Sequence, residues 1–368
     1  MKLRTSTGIA LGMTLVLSMF AVVDNALGQT PSIMVDKDGL LGTGRCNAVY
    51  SEVRTAIQDA INVVDDGGTV IVCAALYEEN ITIGKNVKLL GNAGAIIDGS
   101  ANSNVPVISV NGFLANSVEI NGFEIRNGLN GIEVSSLSPS GGCTNFDTNG
   151  IIIGNNYIHD NASGILFDNT CLGRVHDNKI HNNKIGVELG NNSDTNYFIH
   201  NDIFKSGAEG ILVSDSASNG NTFHHNFLRQ NTAWGIDAFD GNILKENIAN
   251  KNGAGGYRLM NSNIVTDNQA KNSGTMPSPA NGYSIEGSGN KLTGNLGKKN
   301  TGDGFFAAMT SSGNTFTSNR GIENGSFGFN DDSTGAGTAG TNNTYVKNRC
   351  RDNVVGGSQP SGLCIPQP

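Results

Sequence analysis

The sequence predicts an all-β coil of short parallel strands, stacked turn upon turn. Three observations carry that reading. Residue columns recur in phase at steps of 21 to 26 residues. Glycine stands at 50 and asparagine is about as frequent, and both oppose helical backbone, so an all-helical fold is excluded. Apolar residues hold fixed places in every repeat, and only 15% of residues are charged, which sets the chain apart from disordered sequences. A net charge of −8 argues against a dedicated nucleic-acid binder.

The chain opens with a targeting segment. Lys2 and Arg4 precede an apolar run from Ile9 to Val23, and Ala26 and Gly28 suit positions −3 and −1 of a signal-peptidase site. Residues 1–28 are therefore expected to be removed, leaving an exported chain from Gln29. The run is shorter than the ~20 residues of a membrane span, and no later stretch is long enough, so no span is expected in the mature protein. Six cysteines in an exported chain suggest three disulfides, and position pairs Cys46 with Cys73, Cys143 with Cys171 and Cys350 with Cys364. None has the close spacing of a zinc knuckle.

The repeat itself aligns on asparagine. One column holds Asn156, Asn178, Asn201, Asn226, Asn247, Asn268, Asn295, Asn319 and Asn348. A second, five residues later, holds Asn161, Asn183, Ser206, Asn231, Asn252, Ser273, Asn300, Asn324 and Asn353. A third is glycine, at positions 164, 186, 210, 235, 256, 282, 304 and 328. Three residues before the first column lies an apolar one, from Ile153 and Val175 to Tyr345. After the glycine an alternating strand points Ile165, Val187, Ile211, Ile236, Tyr257, Tyr283, Phe305 and Phe329 inward. Each turn buries these residues only against neighbours ~4.8 Å away. Asparagines stacked at inward corners can bond side chain to side chain, and asparagine tolerates left-handed backbone there, so both columns are read as structural.

With these columns the chain resembles the right-handed parallel β-helix proteins of the pectin-lyase-like superfamily, over nearly the whole mature chain. The segment from Cys46 to Gly99 is similar to that family's entry module. The resemblance implies a right-handed single-stranded parallel β-helix of about 12 rungs, forming one domain over 29–368. It also implies a capping helix at 51–64, with Val53, Ile57, Ile61 and Val64 on its apolar side, and a Gly-Gly turn into the first strand. Cys46–Cys73 would tie that cap to the first rung. Stacking would bring the loops of Cys143 and Cys171 together, and Cys364 would pin the tail, 350–368, over the far end. Where relatives commonly carry Pro-Gly before the tyrosine, this chain has Ala74, Ala75 and Leu76.

Function is not given by such a coil, which serves lyases, hydrolases, esterases, epimerases and non-catalytic surface proteins. The resemblance implies an extended polysaccharide as partner. The outward column two residues after each glycine runs Glu133, Leu166, Glu188, Leu212, Asp237, Arg258, Ser284, Phe306 and Asn330. Asp237, Asp240 and Arg258 are the catalytic candidates, since carboxylates and an arginine on adjacent rungs suit acid–base work or a clamp on a uronate carboxylate. Trp234 offers a flat surface for a sugar ring. Residues 234 to 240, Trp-Gly-Ile-Asp-Ala-Phe-Asp, are similar to the Tyr-Gly-Phe-Asp-Pro-His-Asp motif of mannuronan epimerases, with Phe239 in place of its histidine and Ala238 in place of its proline.

A second candidate face follows the first column at three residues' distance. His159 and His181 are expected side by side on the surface, followed by Phe204, Arg229, Asn250, Lys271 and Lys298, with Lys205, Lys251 and Lys299 one place later. From 229 to 299 there are eight lysines and arginines against five acids, a local reversal of the overall charge. Glu188, Arg229, Lys251, Lys271 and Trp234 are thus the substrate-binding candidates. No cofactor is identified and no metal-ligand set is recognised. Calcium, which many pectate lyases use, needs converging carboxylates, and Asp331 and Asp332 look too isolated to supply them. The expectation is an exported, monomeric protein acting on or binding an extended, acidic polysaccharide, of lyase or epimerase type if catalytic. The rival is a non-catalytic cell-surface or periplasmic binding or structural protein, favoured by the scarcity of long loops to wall a cleft.

Overall fold

A computed structural model describes residues 32–37, 53–54, 56–111, 115, 117–135, 150–274 and 279–368. The expected leader, Cys46 and Cys143 lie outside the described residues. Among the described residues, three parallel sheets of 14, 13 and 12 strands form, and their strands pair with counterparts one turn away. The result is a three-sided β-helix, and the count of rungs agrees with the expected 12.

One turn shows how the repeat is built. Tyr197–Ile199 lies in the first sheet, Asp202–Phe204 in the second and Ile211–Val213 in the third. Phe198, Ile203, Ile211 and Val213 point inward and are fully buried. Stacking them on Val175, Ile180, Val187 and Leu189 of the turn before removes apolar surface from water along the whole coil, which no single turn achieves alone. Aromatic residues continue the interior as a stack: Tyr257, Tyr283, Phe305 and Phe329 follow each other at 4.6 to 4.8 Å with nearly parallel rings.

Both asparagine columns are interior ladders. In the first, each Oδ1 accepts the backbone N–H and the Nδ2–H of the preceding asparagine, as Asn201 does from Asn178 at 3.1 and 3.0 Å. The remaining Nδ2–H bonds back to a strand carbonyl, so Asn201 also donates to Val175 O at 3.0 Å. Left-handed backbone falls on the residue before the ladder asparagine rather than on the asparagine, at His200 (φ 57°), His225 (φ 54°) and Glu246 (φ 56°). A non-glycine residue is held there because the corner amides on either side are fully bonded. A third ladder was not read in the sequence. Asn196, Asn221, Asn242, Asn263, Asn290, Asn314 and Asn343 lie five residues before the first column, and at every step the backbone N–H of one donates to the Oδ1 of the next.

The glycine column answers a close approach. A Cβ on Gly210 would sit 2.6 Å from Gly235 O and 2.7 Å from Asn231 Nδ2, and Gly304 faces Gly328 O and Asn324 Nδ2 in the same manner.

The N-terminal cap differs from the expected 51–64. The helix spans Ile57–Val63, with Ile57, Ala60 and Ile61 buried and Val64 buried just beyond it. Val53–Arg54 is instead a strand beside Ser32–Val35, which in turn pairs with Gly68–Val72. These two short strands satisfy the edge that the helix alone would leave open. The Glu79 carboxylate accepts from the free N–H groups of Ile57 and Gln58, both at 3.0 Å. At the far end Cys350 and Cys364 are joined, with Cα atoms 5.8 Å apart, and Ile365–Pro366 adds the last strand of the second sheet. Cys73 and Cys171 are each disulfide-bonded as well.

Candidate functional site

The third sheet places Asp237 and Arg258, two of the three catalytic candidates, in the predicted register. Asp237 pairs with Arg258 on the next rung, while Leu212 separates Asp237 from Glu188, two rungs or ~10 Å away. Asp237 is only 1% exposed. Both of its carboxylate oxygens are taken by Arg258, Oδ1 by Nε at 2.8 Å and Oδ2 by a short contact from Nη2. Burial pushes the Asp237 carboxyl above the ordinary carboxylate range, with the Arg258 hydrogen bonds pulling it back. The Asp237 hydrogen bond raises the Arg258 guanidinium, and the charges of Glu209 and Glu286 act in the same direction. The pair is therefore closed on itself and set among acids. A uronate carboxylate would have to displace Asp237 to reach the guanidinium.

Asp240 does not join this pair. It lies in the turn after the strand, where Oδ1 accepts from Asn261 N at 3.0 Å and Asn261 Nδ2 at 2.9 Å. Trp234 is half-buried over the next rung, where only a glycine fits, since a Cβ on Gly255 would meet its ring at 2.1 Å. Glu188 accepts from Ser163 Oγ at 2.7 Å. Asp331 is not isolated but turned inward, accepting from Tyr345 Oη and Asn343 Nδ2, both at 2.9 Å.

The second sheet gathers the other candidates. Arg126, His159, His181, Phe204, Arg229, Asn250, Lys271 and Lys298 follow one another across its outer face, one per rung. His159 and His181 stack with ring centroids 5.0 Å apart, yet they are buried rather than surface-exposed, because Tyr157 and Phe204 close over them at 4.6 to 4.9 Å. Desolvation pushes the His181 imidazole below its usual value, helped by the neighbouring His159 charge. Arg229 lies 3.9 Å over the Phe204 ring and is bidentate to Asp202 at 3.0 and 2.8 Å. Lys205 and Lys251 hold left-handed corners beside the sheet, with φ 56° and 58°. Lys298 and Lys299 share Glu323 at 3.2 and 3.3 Å. Lys205, Lys251 and Lys271 form no ion pair among the described residues. Next to the histidine end a concavity of about 510 Å³ opens between Gly94, Gly122, Glu124, Tyr157 and Lys179.

One cluster escaped the sequence reading. At the corner between the first and second sheets, His176, Asp177, His200, His224, His225 and Glu246 lie on successive rungs. His176 Nδ1 is 2.9 Å from Asp177, and His224 and His225 both approach Glu246. The signal was available: these residues occupy the place just before the first-column asparagine, or one residue earlier.

The sequence pattern described as "right handed beta helix region" matches residues 39–228, more than half of the chain. The chain belongs to that family of right-handed parallel β-helix proteins. A cell surface glycoprotein of Methanothermus fervidus is 35% identical over 115 residues, a match covering 30% of this chain and 18% of the glycoprotein. This chain thus spans less than a fifth of that relative. Among solved structures, an alginate lyase from a Paenibacillus species superposes with a TM-score of 0.53 at 13% identity, over 65% of this chain and 91% of the lyase. The catalytic unit of a thermostable α-1,3-glucanase from Streptomyces thermodiastaticus gives 0.55 at 13% identity, over 84% of this chain and 63% of its own. Identities this low show the shared coil alone. Among the described residues no helix is long and apolar enough to cross a membrane.

Proposed function

We propose that the protein is an exported coil that binds an extended acidic polysaccharide along the outer face of its second sheet. The observation that carries this reading is the run of cationic positions there. Arg229, Lys271 and Lys298 are presented on the sheet, and Lys205, Lys251 and Lys299 on the corner beside it. Lys205, Lys251 and Lys271 have no acidic partner among the described residues, which suits them to face anionic sugars. Tyr157 and the concavity beside it supply a ring surface at one end of the run. Disulfides among the described residues fit an oxidising compartment, as does the expected leader. The glucan-, alginate- and surface-associated proteins of similar fold are compatible with this partner.

Binding is favoured over turnover because Asp237 is buried and fully engaged by Arg258. An acid or base must reach its substrate's proton. The test is electrophoresis in gels containing alginate, pectate or a neutral glucan, with parallel assays for unsaturated uronate ends and altered uronate configuration. Retention by the acidic polymers alone is expected, weakening with salt because exposed charges are screened within ~10 Å at 0.1 M. It should weaken further in Lys251→Ala/Lys271→Ala. Retention unchanged in that variant would overturn the proposed face. Turnover lost in Asp237→Asn would replace binding with catalysis on the third sheet.

A further inference from the structure

We propose that His224, His225 and Glu246 form a binding site for a divalent transition-metal ion of the imidazole-preferring class, zinc above all. The nitrogens of two imidazoles already converge on a single oxygen. Glu246 Oε2 lies 3.1 Å from His224 Nε2 and 2.8 Å from His225 Nε2, and the three ligand atoms all fall within 4.8 Å of one another. Zinc bonds nitrogen and oxygen at about 2.0–2.2 Å, which places tetrahedral ligand atoms about 3.4 Å apart. Opening the two nitrogen–oxygen distances by a few tenths of an ångström along flexible side chains brings both to that size.

The backbone explains how two consecutive residues aim at one point. In a strand their side chains would leave on opposite faces. His224 ends the strand Thr222–His224 pointing outward, and the left-handed turn at His225 (φ 54°) swings the next side chain to the same side. Their rings stack at 4.1 Å, and His200 of the preceding rung backs His225 at 5.3 Å. Glu246 stands at the equivalent corner one rung on, with φ 56°. Its other oxygen, Oε1, faces Lys245 Nζ at 3.7 Å, which leaves Oε2 to the imidazoles. All three side chains are partly exposed, so a fourth coordination position opens to solvent. Two imidazoles with one carboxylate select zinc or copper over calcium and magnesium, which demand oxygen ligands.

The experiment titrates untagged full-length protein with zinc, copper and calcium chlorides by calorimetry and by competition with a chromophoric chelator. Saturable zinc binding at one ion per chain is expected, with copper tighter and calcium without effect. Affinity should fall at least ~10-fold in Glu246→Gln and further in His225→Ala. His200→Ala serves as the control, and circular dichroism verifies the coil in each variant. Absence of saturable zinc binding overturns the site, leaving an exposed histidine–glutamate ion pair. So does binding that survives His224→Ala and His225→Ala, or that is lost in His200→Ala alone.

Discussion

Asn247 receives two hydrogen bonds from Asn226 on one oxygen: its Oδ1 accepts the Asn226 backbone N–H at 2.9 Å and the Asn226 Nδ2–H at 3.0 Å. Asn226 Nδ2 also donates to Phe198 O at 2.8 Å, so one side chain ties together three rungs. Asn226→Leu removes the two Nδ2–H bonds, keeps the backbone one, and strands the Asn201 donors that rely on its Oδ1. The expected cost is about 1–3 kcal/mol, read as a lower midpoint in chemical denaturation. An unchanged midpoint would contradict the ladder's role.

Two serines interrupt the second ladder. The hydroxyls of Ser206 and Ser273 are buried and lack hydrogen-bond partners among the described residues, because they are too short to span the rung spacing. Ser206→Asn places an amide between Asn183 and Asn231. Stabilisation of about 1 kcal/mol is expected from the restored bonds, seen as a raised melting temperature.

The glycine column predicts the opposite sign for added bulk. Gly210→Ala forces a methyl against Gly235 O and Asn231 Nδ2. A loss of about 1–3 kcal/mol is expected, as for other overpacked interiors. The same denaturation measurement checks it, and a neutral result would show that adjacent rungs can spread.

Acid sensitivity should be concentrated at Asp98. Burial works to raise its pKa, but the Arg126 guanidinium at 2.9 Å, with Asn127 and Ser100, outweighs it and lowers the value to about 2 from an ordinary 3.8. The folded state thus prefers the ionised form. Its contribution, about 2 kcal/mol at 1.36 kcal/mol per unit, is present above the unfolded value and lost as pH falls from near 4 towards 2. Stability measured across that window should drop more steeply in the wild type than in Asp98→Asn.

The bridge between Cys350 and Cys364 spans 14 residues. Closing a loop of that length contributes about 3 kcal/mol in the chain-entropy model. Cys350→Ala/Cys364→Ala should therefore melt earlier than wild type under non-reducing conditions, and the difference between the two should vanish under reducing conditions, where every bridge is opened in both.

The interior was legible because periodic burial repeats chemistry in register. Asn156 to Asn348, the glycines and residues such as Val187 and Tyr283 each meet the same environment on every rung, so each column keeps one chemical class: asparagine, glycine, or a bulky apolar or aromatic side chain. The third ladder was hidden because the turns before Asn221 or Asn290 vary in length and break visual alignment, although the five-residue offset to the first column is constant. Corner residues were harder for a different reason. His225 and Glu246 occupy equivalent places, but solvent imposes no common side chain there, so their column looks like spacer. The adjacency of Asp237 and Arg258 could be read from spacing, whereas the burial of Asp237 depends on side chains packed around it. Equally, the burial of His159 and His181 follows from Tyr157 and Phe204 closing above and below, which a column of letters does not display.

The ladders also bear on how such a molecule changes size over generations. Because Asn226, Asn247 and Asn268 are joined by the same pair of bonds at each step, removing one complete turn from the gene would leave Asn226 facing a partner identical to the one it lost. Recombination between misaligned copies of the repeat can therefore lengthen or shorten the protein by whole turns, each ~4.8 Å. The reach of the molecule is quantised, and selection can adjust it as a ruler is cut, without redesigning any joint.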